Sequence, residues 1–243
     1  MNHPIIRFSS LPSSNDFLKE HYQELEEGSV IVPLTQTKGK GRLGRVWLDE
    51  GKSLLFSLLL KGEEYKSLLH LLPLLSGVAL SLALEEKGFT PNIKWPNDIY
   101  LRDKKVAGIL LEAVTSSTLN AVIIGIGVNT NNNHFDPSIE EKATSLFLEK
   151  GKEMDKEEVL NSFLHHFDSL LSKQKQGENS FYDYLTRHDY LEGKTLSLNY
   201  YSENLEVKAL GIALDGSLKV IDKQGDIKYV TSGEATIVHR NKP

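Results

Sequence analysis

The stretch from Leu68 to Leu84 constrains the fold more than any other part of this 243-residue chain, because it contains no Asp, Glu, Lys or Arg. Wound as a helix, it has no face suited to water. It is shorter than the roughly 20 residues that span a bilayer, and His70, Pro73, Ser76, Gly77 and Ser81 interrupt it. A helix buried inside a protein is the better reading, so the rest of the chain must supply the elements that surround it. Pro73 suits a first helical turn, where its missing amide would be unpaired in any case, and the helix is expected from about Pro73 to Lys87-Gly88. At 40% hydrophobic residues, the chain can build that surrounding core without metal or disulfide staples. Met1 to Pro12 lacks the basic start and apolar run of a signal peptide, and a cytoplasmic protein with no membrane partner is expected.

The surrounding elements read as a mixture. Ser13-Ser14-Asn15-Asp16 opens a helix whose apolar positions Leu18, Tyr22 and Leu25 run to Gly28. Val30 to Leu34 and Ser53 to Leu60 have strand character, as do Ile93 to Trp95, Ile99 to Arg102, Val106 to Ala113 and Leu119 to Val128. A Pro-Asn-Asp turn and a hairpin at Asp103-Lys104 join three of these, while Asn129 to Asn133 reads as a polar loop. Asp155 caps a second long helix reaching about Lys175, and Phe181 to His188 forms a short one. Beyond residue 190 the texture changes to short alternating strands broken at Asp215-Gly216, Gln224-Gly225 and Ser232-Gly233. That pattern predicts a small β-barrel or sandwich. The organisation expected is α+β, with one domain over residues 1–190 and a small β domain over 191–243.

Net charge is −5, so no global attraction to nucleic acid or anionic membrane follows, and any basic site is local. One such site stands out. Residues 38–45 read Lys-Gly-Lys-Gly-Arg-Leu-Gly-Arg, four cations and three glycines with no acid among them. Glycines let backbone amides approach an anion and the cations neutralise it, although a solvated surface loop has the same composition. The spacing of Gly39, Gly41 and Gly44 imitates a dinucleotide fingerprint, but Val46-Trp47-Leu48 leads into a strand rather than a helix. Gly51-Lys52-Ser53 imitates the end of a phosphate-binding P-loop, whose first glycine would have to stand at Val46. Both motifs fail.

Two further clusters are ambiguous alone. Lys94-Trp95-Pro96-Asn97-Asp98 sets a cation, an indole and a carboxylate around a tight turn, which a core tryptophan alone would also explain. Lys105 enters the next strand, where a lysine is ordinarily just solvated. Gly125-Ile126-Gly127-Val128-Asn129 suggests close backbone approach by a ligand or by another strand. The chain has no cysteine, which removes thiol catalysis and thiolate metal sites, and the adjacent His165 and His166 point apart on a helix. Taken together, the set suits the binding of a phosphate beside a carboxylate better than covalent or redox chemistry.

In order and spacing, Ser13-Ser14-Asn15, Gln36, the run from Gly39 to Trp47, Lys94 to Asp98, Lys105 to Gly108 and Gly125 to Asn129 resemble the biotin protein ligase family. The resemblance spans residues 13 to about 131. It implies a mixed β-sheet catalytic domain with packed helices, followed by a small SH3-like β-barrel. It also implies ATP-dependent activation of biotin to biotinyl-AMP, with magnesium, and transfer of biotin to a lysine of a biotin carboxyl carrier protein. On that likeness Arg42 and Lys105 are catalytic. Ser13, Ser14, Asn15, Gln36, Lys40, Gly41, Arg42, Lys105 and Gly108 hold biotin. Lys40, Arg42, Arg45, Trp47, Lys94, Asn97 and Asn129 serve the nucleotide, and Asp98 the metal.

The chain departs from the family pattern at two of these positions. Lys40 stands where arginine is usual and keeps the charge without the planar fork; Ser14 stands where threonine is common and keeps the hydroxyl. Only 12 residues precede Ser13, too few for the helix-turn-helix that some relatives carry, so no DNA partner is expected. Relatives of this kind form monomers and homodimers. A lipoate-type ligase is the nearest alternative enzyme, and a catalytically inactive binding protein is the alternative from another class.

Overall fold

The protein is described from a computed structural model that covers residues 1–200 and 203–238. Seven strands make the main sheet: β1 (Ile5–Leu11), β2 (Val30–Gln36), β3 (Leu54–Lys61), β4 (Pro91–Lys94), β5 (Asp98–Leu101), β6 (Lys104–Thr115) and β7 (Leu119–Val128). Their spatial order is β1-β2-β3-β7-β6-β5-β4. β1 runs parallel to β2 and every other neighbouring pair is antiparallel, so the sheet is mixed.

Strand residues point alternately to opposite faces, and here both faces are covered. On one face Leu54, Phe56, Leu58 and Leu60 of β3 join Val122, Ile124, Ile126 and Val128 of β7 in the large apolar core. The uncharged stretch forms α2 (Leu72–Glu86) and packs into that core with α4 (Lys156–Lys175). The opposite face carries α1 (Ser14–His21), whose Leu18 meets Ile31, Leu59, Ala121 and Ile123 in a second, smaller cluster. Coverage on both sides explains why β3 and β7 read as nearly unbroken apolar runs. No helix among the described residues is long and apolar enough to cross a membrane.

Local chemistry sets several boundaries. The Asp155 carboxylate accepts the amides of Glu157 and Glu158 at the start of α4. Pro73 is the second residue of α2. The first helix stops earlier than its apolar spacing suggests, at His21 rather than Gly28. Glu24, Glu26 and Glu27 follow it, and acids at the negative end of a helix dipole oppose its continuation. The segment 129–133 differs from the polar loop expected of it. Asn129, Thr130 and Asn132 are buried, and Asn131 exchanges hydrogen bonds with both backbone groups of Met154.

After α3 (Leu146–Lys150) and α5 (Ser180–Arg187), the chain forms a second, antiparallel sheet. Its strands are β8 (Thr195–Tyr200), β9 (Glu203–Ile212), β10 (Leu218–Ile221), β11 (Ile227–Val230) and β12 (Glu234–Ile237), in the order β11-β10-β9-β8-β12. Among the described residues β11 and β12 do not pair with each other, so the expected barrel is an open sheet. Its turns fall at Gly216, Gly225 and Gly233, each with a positive φ. The apolar core continues into this sheet through Leu196, Leu198, Val207, Leu218 and Val220.

Candidate active site

The cleft opens on the α1 face of the main sheet, lined by residues of β3, β6 and β7 beside the first turn of that helix. Three glycines stand among the strand residues that line it, beside Leu55 and Leu110. Gly108 of β6 pairs with Gly127 of β7, and Gly125 lies two residues along the same strand. A Cβ on Gly125 would stand 2.2 Å from Asn15 Oδ1, and one on Gly127 would stand 2.7 Å from the Trp47 ring. Glycine is therefore needed at both places by what rests on them, which is neither of the expected neighbours, a ligand or another strand. It is the chain's own Asn15 and Trp47.

One end of the cleft is a fixed, neutral hydrogen-bonding array. Ser13 caps α1 by accepting the Asp16 amide, which places Ser14 and Asn15 in the first helical turn above β3. The Ser14 amide donates to Gln36 Oε1 at 2.6 Å. Ser57, buried on the α1 face of β3, lies 2.6 Å from the Ser14 hydroxyl and donates to Asn15 Oδ1 at 2.6 Å. A hydroxyl has one hydrogen, so with that of Ser57 directed to Asn15, the Ser14 hydrogen is shared between Ser57 Oγ and Gln36 Oε1, the latter at 3.1 Å. Asn15 Nδ2 passes the chain on to Glu112 Oε2 at 2.8 Å, and Lys19 completes it on Glu112 Oε1 at 2.7 Å. Buried polar groups satisfied in series resist reorientation, which makes this end of the cleft rigid.

The other end is cationic. The basic segment folds into a hairpin, with Gly41 N on Arg45 O at 2.7 Å and Trp47 N on Gly39 O at 3.0 Å. It turns at Leu43 and Gly44, both at positive φ. Arg42 reaches back to Asn97 Oδ1 at 3.1 Å and across to Gly233 O at 3.3 Å, and Arg45 pairs with Glu234 of β12. Burial pushes the Arg42 guanidinium below its ordinary value, Asp98 and Glu234 oppose the fall, and Arg45 adds to it. The Lys105 ammonium is 2.6 Å from Asp98 Oδ1 and 5.6 Å from the centre of the Trp47 ring. Burial lowers Lys94 against the pull of Asp98, with the charge of Lys105 assisting the fall.

Of the residues singled out in sequence, Ser13, Ser14, Asn15, Gln36, Lys40, Gly41, Arg42, Trp47, Asn97, Lys105 and Gly108 line the cleft. Arg45 lines an adjoining groove beside the hairpin. Lys94 and Asp98 stand behind Lys105, with the Lys94 ammonium donating to the Tyr100 hydroxyl at 3.3 Å. Asn129 is buried away from the cleft and its amide donates to Thr144 O at 3.0 Å. Trp95 is buried, and its indole N–H donates to Gly216 O in the second sheet. Sequence reasoning passed over Ser57 and Glu112. Each is the one polar side chain inside an apolar strand run, LLFSLLL and VAGILLEAV, and that is the signal that marks them.

No group of three or more His, Asp or Glu side chains among the described residues could cage a metal ion. The carboxylate of Asp98, beside the ammonium of Lys105, suits magnesium carried in on a triphosphate, an ion held by one or two carboxylates and phosphate oxygens.

The sequence profile of the Biotin/lipoate A/B protein ligase family matches residues 7–129. The chain is 34% identical over 214 residues to the bifunctional ligase/repressor BirA of Bacillus subtilis, a match taking in 85% of this chain and 62% of that protein. It therefore spans less than two thirds of that relative's length. It is 35% identical over 138 residues to the biotin–[acetyl-CoA-carboxylase] ligase of Paracoccus denitrificans, covering 54% of this chain and 58% of the other. Among solved structures, the biotin protein ligase from Aquifex aeolicus in complex with biotin and ATP superposes with a TM-score of 0.87. That likeness holds at 33% identity over 98% of this chain and 99% of that one.

Proposed function

The chain belongs to the Biotin/lipoate A/B protein ligase family, and on that premise we propose that it activates biotin with ATP and transfers it to a lysine of a biotin carboxyl carrier protein. The observation that carries this reading is the polarity of a single cleft. Ser14, Asn15 and Gln36 present fixed neutral hydrogen-bonding groups at one end, Arg42 and Lys105 present cations at the other, and glycine strands join them. A urea ring, a saturated sulfur ring with an aliphatic chain, and a terminal carboxylate follow the same order in biotin.

In the first step a biotin carboxylate oxygen attacks the α-phosphorus of ATP, and the bond to the bridging oxygen breaks to release pyrophosphate. Two anions must meet, so the site works chiefly by lowering their repulsion. Arg42 is already fixed by Asn97 Oδ1 and Gly233 O and needs little reorganisation. Lys105 is oriented by Asp98. Magnesium, with Asp98 as its protein ligand, would supply further neutralisation of the triphosphate. In the second step the neutral amine of the carrier lysine attacks the acyl carbon, AMP leaves, and the amine loses a proton. We assign Ser13, Ser14, Asn15, Gln36, Gly41 and Gly108 to biotin, and Trp47, Asn97, Arg45 and Lys94 to the surroundings of the nucleotide. Residues 1–190 form the catalytic part and 191–243 the accessory one, and the reaction is placed in the cytoplasm.

Incubation with biotin, labelled ATP and magnesium is expected to yield biotinyl-AMP by mass spectrometry together with pyrophosphate. Adenylate formed from lipoate but not from biotin would replace the substrate, and no adenylate from either would overturn the activity.

A further inference from the structure

Lys40 lines the cleft, yet its ammonium is committed elsewhere. It sits 2.8 Å from Oδ1 and 2.6 Å from Oδ2 of Asp16, so it straddles that carboxylate. Asp16 also takes Lys19 at 2.8 Å, and Lys19 reaches Glu112 at 2.7 Å, the acid that Asn15 engages. A continuous line of charged and polar contacts therefore runs from the vitamin end of the cleft to the hairpin. Asn15 and Asp16 are adjacent in the first turn of α1, so whatever fixes that turn fixes both the pocket and the anchor for Lys40. A point charge suits a seat between two carboxylate oxygens, where the planar fork of arginine is not required. Burial draws the Asp16 carboxyl upward, but hydrogen bonds from Lys19 and Lys40 prevail and hold it below the usual carboxylate range.

We propose that Asp16 is a positioning residue that docks the basic hairpin. It holds Lys40 as a latch to α1 and leaves Arg42 and Lys105 to meet the anionic ligands. The inference rests on the ligase reading and adds a division of labour among the cations. Nothing in it requires Asp16 to touch a substrate.

Trypsin tests the latch, because Arg45 is exposed on the hairpin and Arg42, half-buried against Asn97 and Gly233, becomes cleavable when the hairpin opens. In the unsubstituted chain, biotin with ATP and magnesium should slow cleavage after Arg42 and Arg45. In Asp16→Asn that protection should fall by about fivefold, the scale of a well-formed but partly exposed ion pair, and Asp16→Glu should regain most of it. Biotinyl-AMP should leave Asp16→Asn and Lys40→Gln faster by a similar factor, and the double variant should lose it no faster than either single one. Because Lys40 is on a surface hairpin, its variant keeps the core and gives the reading even if Asp16→Asn folds poorly. Losses that multiply in the double variant, or protection of Asp16→Asn equal to that of the unsubstituted chain, would overturn the latch while sparing the ligase. If the unsubstituted chain gains no protection and makes no adenylate, latch and ligase readings fall together.

Discussion

The two faces of the main sheet are built from the same strands to opposite ends. Leu58 of β3 and Ile124 of β7 point into an apolar core shared with α2 and α4, while their neighbours lie on the α1 face, Ser57 buried beneath Ser14 and Asn15 and Gly125 lining the cleft. Alternation along a strand puts a packing residue and a working residue one position apart. The difference teaches that stability and chemistry are separable here at single-residue resolution. The apolar face gains from volume and pays for any loss of it, whereas the cleft face gains from the absence of side chains at its glycines and from fixed polar groups.

Four substitutions bear on that separation, in falling order of effect. Leu58→Ala, which opens a cavity at a fully buried site, should cost about 2–5 kcal/mol of unfolding free energy in a urea titration. A loss under 1 kcal/mol would blur the distinction between the faces. Lys105→Ala should slow adenylate formation by two to three decades, about 3–4 kcal/mol on the barrier, with the melting temperature nearly unchanged. Pyrophosphate release at the ordinary rate would remove Lys105 from the chemistry. Gly125→Ala puts a methyl group 2.2 Å from Asn15 Oδ1 and should weaken biotin binding by about tenfold, or 1.4 kcal/mol, in calorimetry. Unchanged affinity there would mean that the floor tolerates a side chain. Ser57→Ala breaks the relay between Ser14 and Asn15 and should weaken biotin by roughly fivefold, about 1 kcal/mol for one hydrogen bond. If it lowered stability as much as Leu58→Ala, the two faces would not be independent.

The parts of the fold legible in sequence are those fixed by local chemistry. Pro73 and the uncharged stretch marked α2, Asp155 marked α4, and Leu119 to Val128 gave β7 its observed bounds. β1 was not legible, because an edge strand reading Ile-Ile-Arg-Phe-Ser-Ser-Leu owes its form to parallel pairing with β2, a contact between distant segments. The burial of Asn129 to Asn132 escaped notice for a related reason. Its hydrogen bonds go to Ser53, Thr144 and Met154, none of which the local sequence announces. In the cleft, residue types and spacing pointed to a basic hairpin and glycine strands, and the fold brings most of them together. What sequence could not show is partnership: that Gly125 accommodates Asn15, that Asp16 takes Lys40, or that Arg42 reaches Gly233 from 191 positions away.

At Gly108, Gly125 and Gly127 the strands add no side chain of their own, and Asn15 and Trp47, carried by α1 and the hairpin, rest on two of those positions. Discrimination is delegated to the first turn of one short helix and to one hairpin, both laid over the sheet rather than woven into it. A lineage starting from such a scaffold could change what it recognises by rewriting a handful of overlaid positions, leaving the woven framework as inherited.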